Sequence, residues 1–269
     1  MKNCDHRSQS GMTLVELLIA LLISGLIISA GYALYLVQHK GWIIQEEISN
    51  AQHNVRAAIR ELETEIRLAG YGLEGGIEPI YASNTDPDTI VIIHQNESNC
   101  RAWLDQDMSY PGDRMRCSTD VSCFEEDSWA FAYDFAADTG EFFLVGTVIT
   151  GDEELQPSAS LSRSYAAGSI VMVLDYHKFY VDAADTNHPN LMMQRYGETP
   201  QVYAEDIEDL QFSYGLANGV FMDVPPVASV VREVIITLTA RTGRRDLQFE
   251  GEYRQRHLAS VVKVRNLGL

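Results

Sequence analysis

Proline is scarce in this chain, with 8 in 269 residues and none between Met12 and Leu68. Because proline removes an amide donor and breaks helix interiors, its absence leaves that whole stretch free to form one helix. Charge is missing as well: no Asp, Glu, Lys or Arg interrupts the apolar run from Leu17 to Val37. As a helix those 21 residues span roughly 31 Å, enough for a bilayer and longer than the h-region of a secretory signal peptide. Ser29-Ala30-Gly31 and nearby Ala33 match a signal-peptidase site only weakly, so the segment reads as retained. Basic residues are few, 20 Lys and Arg against 38 Asp and Glu, for a net charge of −18, which argues against binding a phosphate backbone. Arg241, Arg244, Arg245, Arg254, Arg256, Lys263 and Arg265 cluster late, but they interleave with strand residues and read as a solvated sheet face.

Signatures of chemistry are also lacking. There is no GxSxG, P-loop or GxGxxG, and Gly70-Tyr71-Gly72 closes a helical pattern where a phosphate cradle would open one. His94, His177, His188 and His257 fall on separate elements without a metal-ligand spacing. Asp105, Asp107 and Asp113, or Glu205, Asp206, Glu208 and Asp209, offer clustered oxygens of the kind calcium takes, yet in no EF-hand register. They read as solvated acids. The expectation is therefore no catalytic residue, no cofactor and no metal site. A membrane-anchored enzyme would instead need polar groups converging in one pocket.

What the chain does have is a short basic leader with Lys2 and Arg7, then Ser10-Gly11, then Met12-Thr13-Leu14-Val15-Glu16 opening the apolar run. A carboxylate at the centre of a membrane helix costs roughly 2.5–3.5 kcal/mol, so a lone acid at the edge of such a segment marks a functional position. These residues, in this register, resemble the class III signal of type IV prepilins and related pseudopilins. The resemblance implies cleavage between Gly11 and Met12 by a membrane-embedded prepilin peptidase, and methylation of the new N-terminus. Glu16 is then the fifth mature residue, matched to a neighbouring subunit's ammonium and setting register between packed helices. Met12 stands where that family more often has Phe. A plain signal anchor, with Glu16 at the headgroup level, is the bland alternative. Loss of the leader (Lys2 and Arg7 against Asp5) leaves about 258 residues with net charge near −19.

Beyond Val37, Ile44, Ile48, Ala51, Val55, Ile59, Leu62, Ile66 and Ala69 recur in steps of three and four, one buried helical face. The opposite face carries Glu46, Glu47, Arg56, Arg60, Glu63 and Arg67, with Glu63 and Arg67 at a favourable i,i+4 spacing. Gly70, Gly72, Gly75 and Gly76 end the helix. Short strands follow: 89–94, 142–150, 169–181 (one bent or two), 207–214, 232–241, 247–253 and 260–264. Residues 242–246 are expected to turn the fifth back into 247–253, and Asn218-Gly219 is a second hairpin turn. Residues 96–127, 152–163 and 182–200 read as polar loops. Trp103, Trp129 and Tyr133 read as core.

Four cysteines are present, Cys4 in the leader and Cys100, Cys117 and Cys123 in one loop-rich stretch. Beyond the membrane that stretch faces an oxidising compartment, so one disulfide with one cysteine left over is expected. Cys117–Cys123 closes the shortest loop, and Cys100 pairs equally well with either.

The class is thus α+β, a long N-terminal helix, transmembrane then periplasmic, packed on an antiparallel sheet domain. Its parts are a leader (1–11), a bilayer half-helix (12–37), a periplasmic half-helix (38–70) and a sheet domain (71–269). Glu65-Ile66-Arg67-Leu68-Ala69-Gly70-Tyr71-Gly72, Ile207–Gly215 and the closing Val262–Asn266 resemble the PilW-type minor pilins. This resemblance implies a non-enzymatic subunit of the inner membrane whose partners are major and minor pilins, the prepilin peptidase and the assembly platform, with no nucleic acid. The equivalent minor pseudopilin of a type II secretion system is the near alternative, and an adhesive tip subunit the further one.

Overall fold

The computed structural model describes residues 12–74, 76–246 and 251–267. The expected leader with Gly11 and Cys4, and most of the expected strand 247–253, lie outside the described residues. One helix, α1 (Leu14–Leu68), takes in both halves of the proline-free stretch, and the apolar side chains of its first part are exposed from Leu14 to Val37. Fifteen strands follow among the described residues. They are β1 (Ile80–Ser83), β2 (Thr89–Gln95), β3 (Arg101–Trp103), β4 (Met115–Arg116), β5 (Trp129–Asp134), β6 (Thr139–Ile149), β7 (Glu154–Pro157) and β8 (Ile170–Met172), then β9 (Leu174–Asp182), β10 (Asn190–Arg195), β11 (Gln201–Ala204), β12 (Ile207–Leu216), β13 (Phe221–Met222), β14 (Val231–Arg241) and β15 (Gln255–Lys263).

The chain divides into two compact units, Met1–Ser49 and Asn50–Leu269. Within the second, the strands form three sheets of order β1-β2-β9-β10-β11, β13-β12-β14-β15 and β3-β8-β5-β6-β7-β4, and every pairing between neighbours is antiparallel. Ala51, Val55, Ala58, Ile59, Leu62 and Ile66 of α1 share one core with Ile90, Ile92 and Phe179 of the first sheet and with Val234, Ile236 and Leu238 of the second. That burial is what holds the second part of the helix, since an amphipathic helix owes most of its stability to tertiary packing. Strand β2 is buried on both faces: Ile90 and Ile92 turn to the helix, Val91 and Ile93 to a second core shared with Tyr133, Ile170 and Met172. Its unbroken run Ile90-Val91-Ile92-Ile93 is the sequence mark of that position.

The stretch 169–181, expected as one bent strand or two, is two, β8 and β9, and they lie in different sheets. Several other expectations change. Residues 96–127 are not a free polar loop: they supply β3 and β4, and Ala102, Leu104, Met108, Met115, Val121 and Phe124 are buried in a third core. β7 and β10 likewise lie in stretches expected to be loops, because strands of four to six residues with mixed burial leave no clean alternation to read. The partner of β14 is β15, with Arg241 opposite Gln255, so the connection is longer than the tight turn expected. The Asn218-Gly219 turn does join β12 to β13, with Gly219 at φ +81° and its N–H donating to Leu216 O at 2.9 Å. Along β14, Val234, Ile236, Leu238 and Ala240 are fully buried, but the other face is not simply solvated: Arg241 is buried against the Tyr253 ring, 4.2 Å from its centroid.

Candidate functional site

Helix α1 starts at a reciprocal cap. The Thr13 N–H and Oγ1–H donate to Glu16 Oε2 at 2.9 and 3.0 Å, and the Glu16 N–H donates back to Thr13 Oγ1 at 3.3 Å. This is a capping box, which satisfies amide donors that a helix start otherwise leaves open. Thr13-Leu14-Val15-Glu16 carries its T-x-x-E signature, a local signal that the reading of Glu16 as a lone acid did not include. The acid therefore has a local partner at the head of an uncovered apolar helix. Met12 is exposed beside it, and Gly11 lies outside the described residues.

At the other end of α1, Arg67 pairs with Glu63 at 3.0 Å, as the i,i+4 spacing predicts, and Glu63 also accepts from Ser260 Oγ. The helix stops at Leu68, and Gly70 (φ +78°) and Gly72 (φ +67°) turn the chain back along β2. There the Gly70 N–H donates to Ile93 O at 3.0 Å and the Gln95 N–H donates to Tyr71 O at 2.8 Å, which fixes the backbone on both sides of His94. At φ +67° a Cβ on Gly72 would also sit 2.8 Å from Gln95 Cβ, so this turn favours glycine.

The same packing assembles a polar cluster that spacing did not reveal. Ala51, Val55, Ala58, Leu62, Glu65 and Ala69 follow one another in steps of four and three along the buried stripe, and Glu65 is its one acid. Pairing of β2 with β9 sets Ile92 opposite His177 and His94 opposite Asp175, so the two histidines are diagonal neighbours on the face toward the helix. Glu65 Oε2 lies 2.7 Å from His177 Nδ1 and 3.3 Å from His94 Nε2. The three residues are 8%, 9% and 5% exposed, in that order. Burial pushes the Glu65 carboxyl up, but hydrogen bonds from His177 and then His94 outweigh it and hold the group at about 2. Burial alone lowers the His94 imidazole; its bonds to Glu65 and to the Gln95 carbonyl raise it above the ordinary value. The expectation that these histidines do not assemble is thus corrected for His94 and His177. His188 instead meets Asp206 at 3.0 Å, and His257 meets Thr239 Oγ1 at 2.8 Å.

Of the three candidate cysteines, Cys100 and Cys123 form the disulfide and Cys117 keeps its thiol, buried in the third core. Burial, with Asp105 and Glu153 nearby, pushes that thiol up to about 12, far from a reactive thiolate. Of the acids considered for calcium, Asp113 accepts the Ser109 N–H at 2.9 Å within a turn, Asp107 accepts the Ala167 N–H of a distant segment at 2.8 Å, and Glu208 pairs with Arg241 at 3.6 Å.

Residues 6–32 match the family model of the prokaryotic N-terminal methylation motif, the signal of type IV pilins and pseudopilins. No curated protein matches the chain in sequence. The motif supports a type IV pilin or pseudopilin, which implies processing by prepilin peptidase and assembly with other pilins. It suggests a structural subunit, not an enzyme. Together with a helix long and apolar enough to cross a membrane, it suggests membrane anchoring.

Proposed function

We propose that the chain is a PilW-like minor pilin, inserted in the inner membrane with its sheet domain in the periplasm, cut after Gly11 and built into a type IV pilus or its initiating complex. The observation that carries this reading is the methylation motif at 6–32 running directly into a single helix that extends to Leu68, with an antiparallel sheet domain after it. In the proposed domain plan, 12–37 lies in lipid, 38–70 continues the helix outside it, and 71–269 forms the surface.

Cleavage frees an ammonium on Met12, about one helical turn from Glu16. Within the subunit the Thr13 box satisfies part of the carboxylate's hydrogen-bonding capacity and none of its charge. Among packed apolar helices an unpaired charge is costly, and a neighbour's ammonium offsets that cost only in the right axial register. Glu16 then selects how far each helix slides along the next. The apolar side chains exposed from Leu14 to Val37 supply the lateral packing that this register organises.

N-terminal sequencing and intact mass of the mature protein test the assignment: the chain should begin at N-methylated Met12, and a Gly11→Val variant should accumulate uncut. A mature chain beginning elsewhere overturns it. The same motif also serves the minor pseudopilins of type II secretion, and complementation separates the two, since loss of piliation points to the pilus and loss of secretion to the pseudopilin.

A further inference from the structure

We propose that Glu65, His94 and His177 form a binding site for a divalent transition-metal ion of the zinc class, joining α1 to strands β2 and β9. The inference does not depend on the pilin reading, since every residue in it belongs to the compact unit Asn50–Leu269. One oxygen and two nitrogens, one from each side chain, all lie within 4.8 Å of one another. A tetrahedral zinc with bonds of about 2.0–2.1 Å sets neighbouring ligand atoms ~3.3 Å apart. Glu65 Oε2 and His94 Nε2 already stand at 3.3 Å. Glu65 Oε2 and His177 Nδ1, at 2.7 Å, must open by about half an ångström, within reach of a small carboxylate rotation.

Proton accounting leads to the same place. His94 Nδ1 lies 3.0 Å from the Gln95 carbonyl oxygen. A carbonyl can only accept, so Nδ1 carries the hydrogen, and a neutral imidazole has no second one. In that neutral form His94 Nε2 turns a lone pair toward the Glu65 carboxylate, an arrangement that needs a positive charge between them. A second proton is one way to supply it, and a metal ion is the other. Holding the far nitrogen by a carbonyl is how ligating histidines are usually oriented, and Asp175 Oδ2, 3.9 Å from the same Nδ1, adds an outer carboxylate. The Gly70 and Tyr71 backbone bonds on either side of His94 hold this geometry in advance.

The donor set names the ion class. Two imidazoles and one carboxylate suit zinc and its neighbours, whereas calcium and magnesium require oxygen cages. A metal dication also removes the need to bury an imidazolium opposite the carboxylate. In an acidic chain of net charge −18 it meets no general electrostatic opposition. Three side chains leave the fourth tetrahedral position to a water molecule, and from within the helix–sheet core the ion fastens the end of α1 to the sheet beneath it.

The test uses the full-length protein, purified in detergent and stripped with a chelator. Zinc should then bind at one equivalent per chain and raise the thermal midpoint, and cobalt should give the visible absorption of a tetrahedral site. Loss of an outer-shell partner alone weakens metal sites about 10–100-fold. Glu65→Gln, His94→Gln and His177→Gln, each losing a ligand, should therefore weaken zinc binding by at least that much and abolish the cobalt bands. Should the variants fail to fold, the zinc titration and cobalt spectrum of the unaltered chain still decide the matter. No stoichiometric zinc and no cobalt bands would leave a network of protons only and overturn the proposal. Undiminished binding in all three folded variants would place the metal elsewhere and overturn it too, as would an equal rise in midpoint with calcium or magnesium.

Discussion

Removing the Cys100–Cys123 bridge is the perturbation whose size follows most directly from the structure. The bridge closes a segment with a sequence separation of 23. For a closed loop of that length the chain-entropy relation gives about 3.4 kcal/mol at 25 °C. The segment it ties down includes β3, β4 and five buried apolar side chains of the third core, Ala102, Leu104, Met108, Met115 and Val121, so loosening it should be felt through that core. Cys100 is buried but Cys123 is exposed, which gives reductant a route to the bond. Denaturation followed by tryptophan fluorescence is well placed to read the change, since Trp103 lies in β3 and Trp129 in β5. A Cys100→Ser/Cys123→Ser variant and the reduced unaltered protein should lose stability to a similar extent. Alkylation supplies the companion measurement: the native processed chain should resist labelling even at mildly alkaline pH, because the Cys117 thiol is held near 12. Unfolded without reductant, it should label at Cys117 alone. Labelling of Cys100 or Cys123 under those conditions would refute the pairing, and a loss below about 1 kcal/mol would refute the loop-entropy reasoning.

Three further outcomes are expected. Leu62→Ala, at a fully buried position between α1 and two sheets, should cost about 2.7–5 kcal/mol in chemical denaturation, with the higher figures if the cavity stays open. Gly140→Ala would bring a Cβ to 2.6 Å from the Ala132 carbonyl oxygen and into the Phe131 ring, so it should destabilise the β5–β6 pair by about 1–3 kcal/mol; an unchanged melting curve would show the strands can separate freely. Glu16→Ala should permit insertion and processing yet reduce incorporation into filaments, and wild-type incorporation would reject its role in register.

Much of the helix could be read locally. Its start, its uncharged segment, the apolar steps through Ala69 and the closing glycines all depend on neighbours within one or two turns, where side-chain spacing and backbone preference act directly. The same holds for β14, whose buried residues alternate, and for the Asn218-Gly219 turn. The T-x-x-E cap was equally local. So was Glu65's place on the buried stripe, which the spacing 51, 55, 58, 62, 65, 69 already contained; an acid there signals a partner that only the fold can supply.

By itself, the amino-acid order determined that a membrane-length helix begins at a lone acid and that a strand-rich acidic domain follows, because periodicity and charge act over short distances. Tertiary structure alone decided which cysteine meets which, which strands share a sheet, and that histidines 83 residues apart, His94 and His177, converge on Glu65. Those outcomes come from the antiparallel register of β2 on β9 and from the glycine turn that draws the end of α1 down onto them, contacts between segments whose separation along the chain carries no periodic trace.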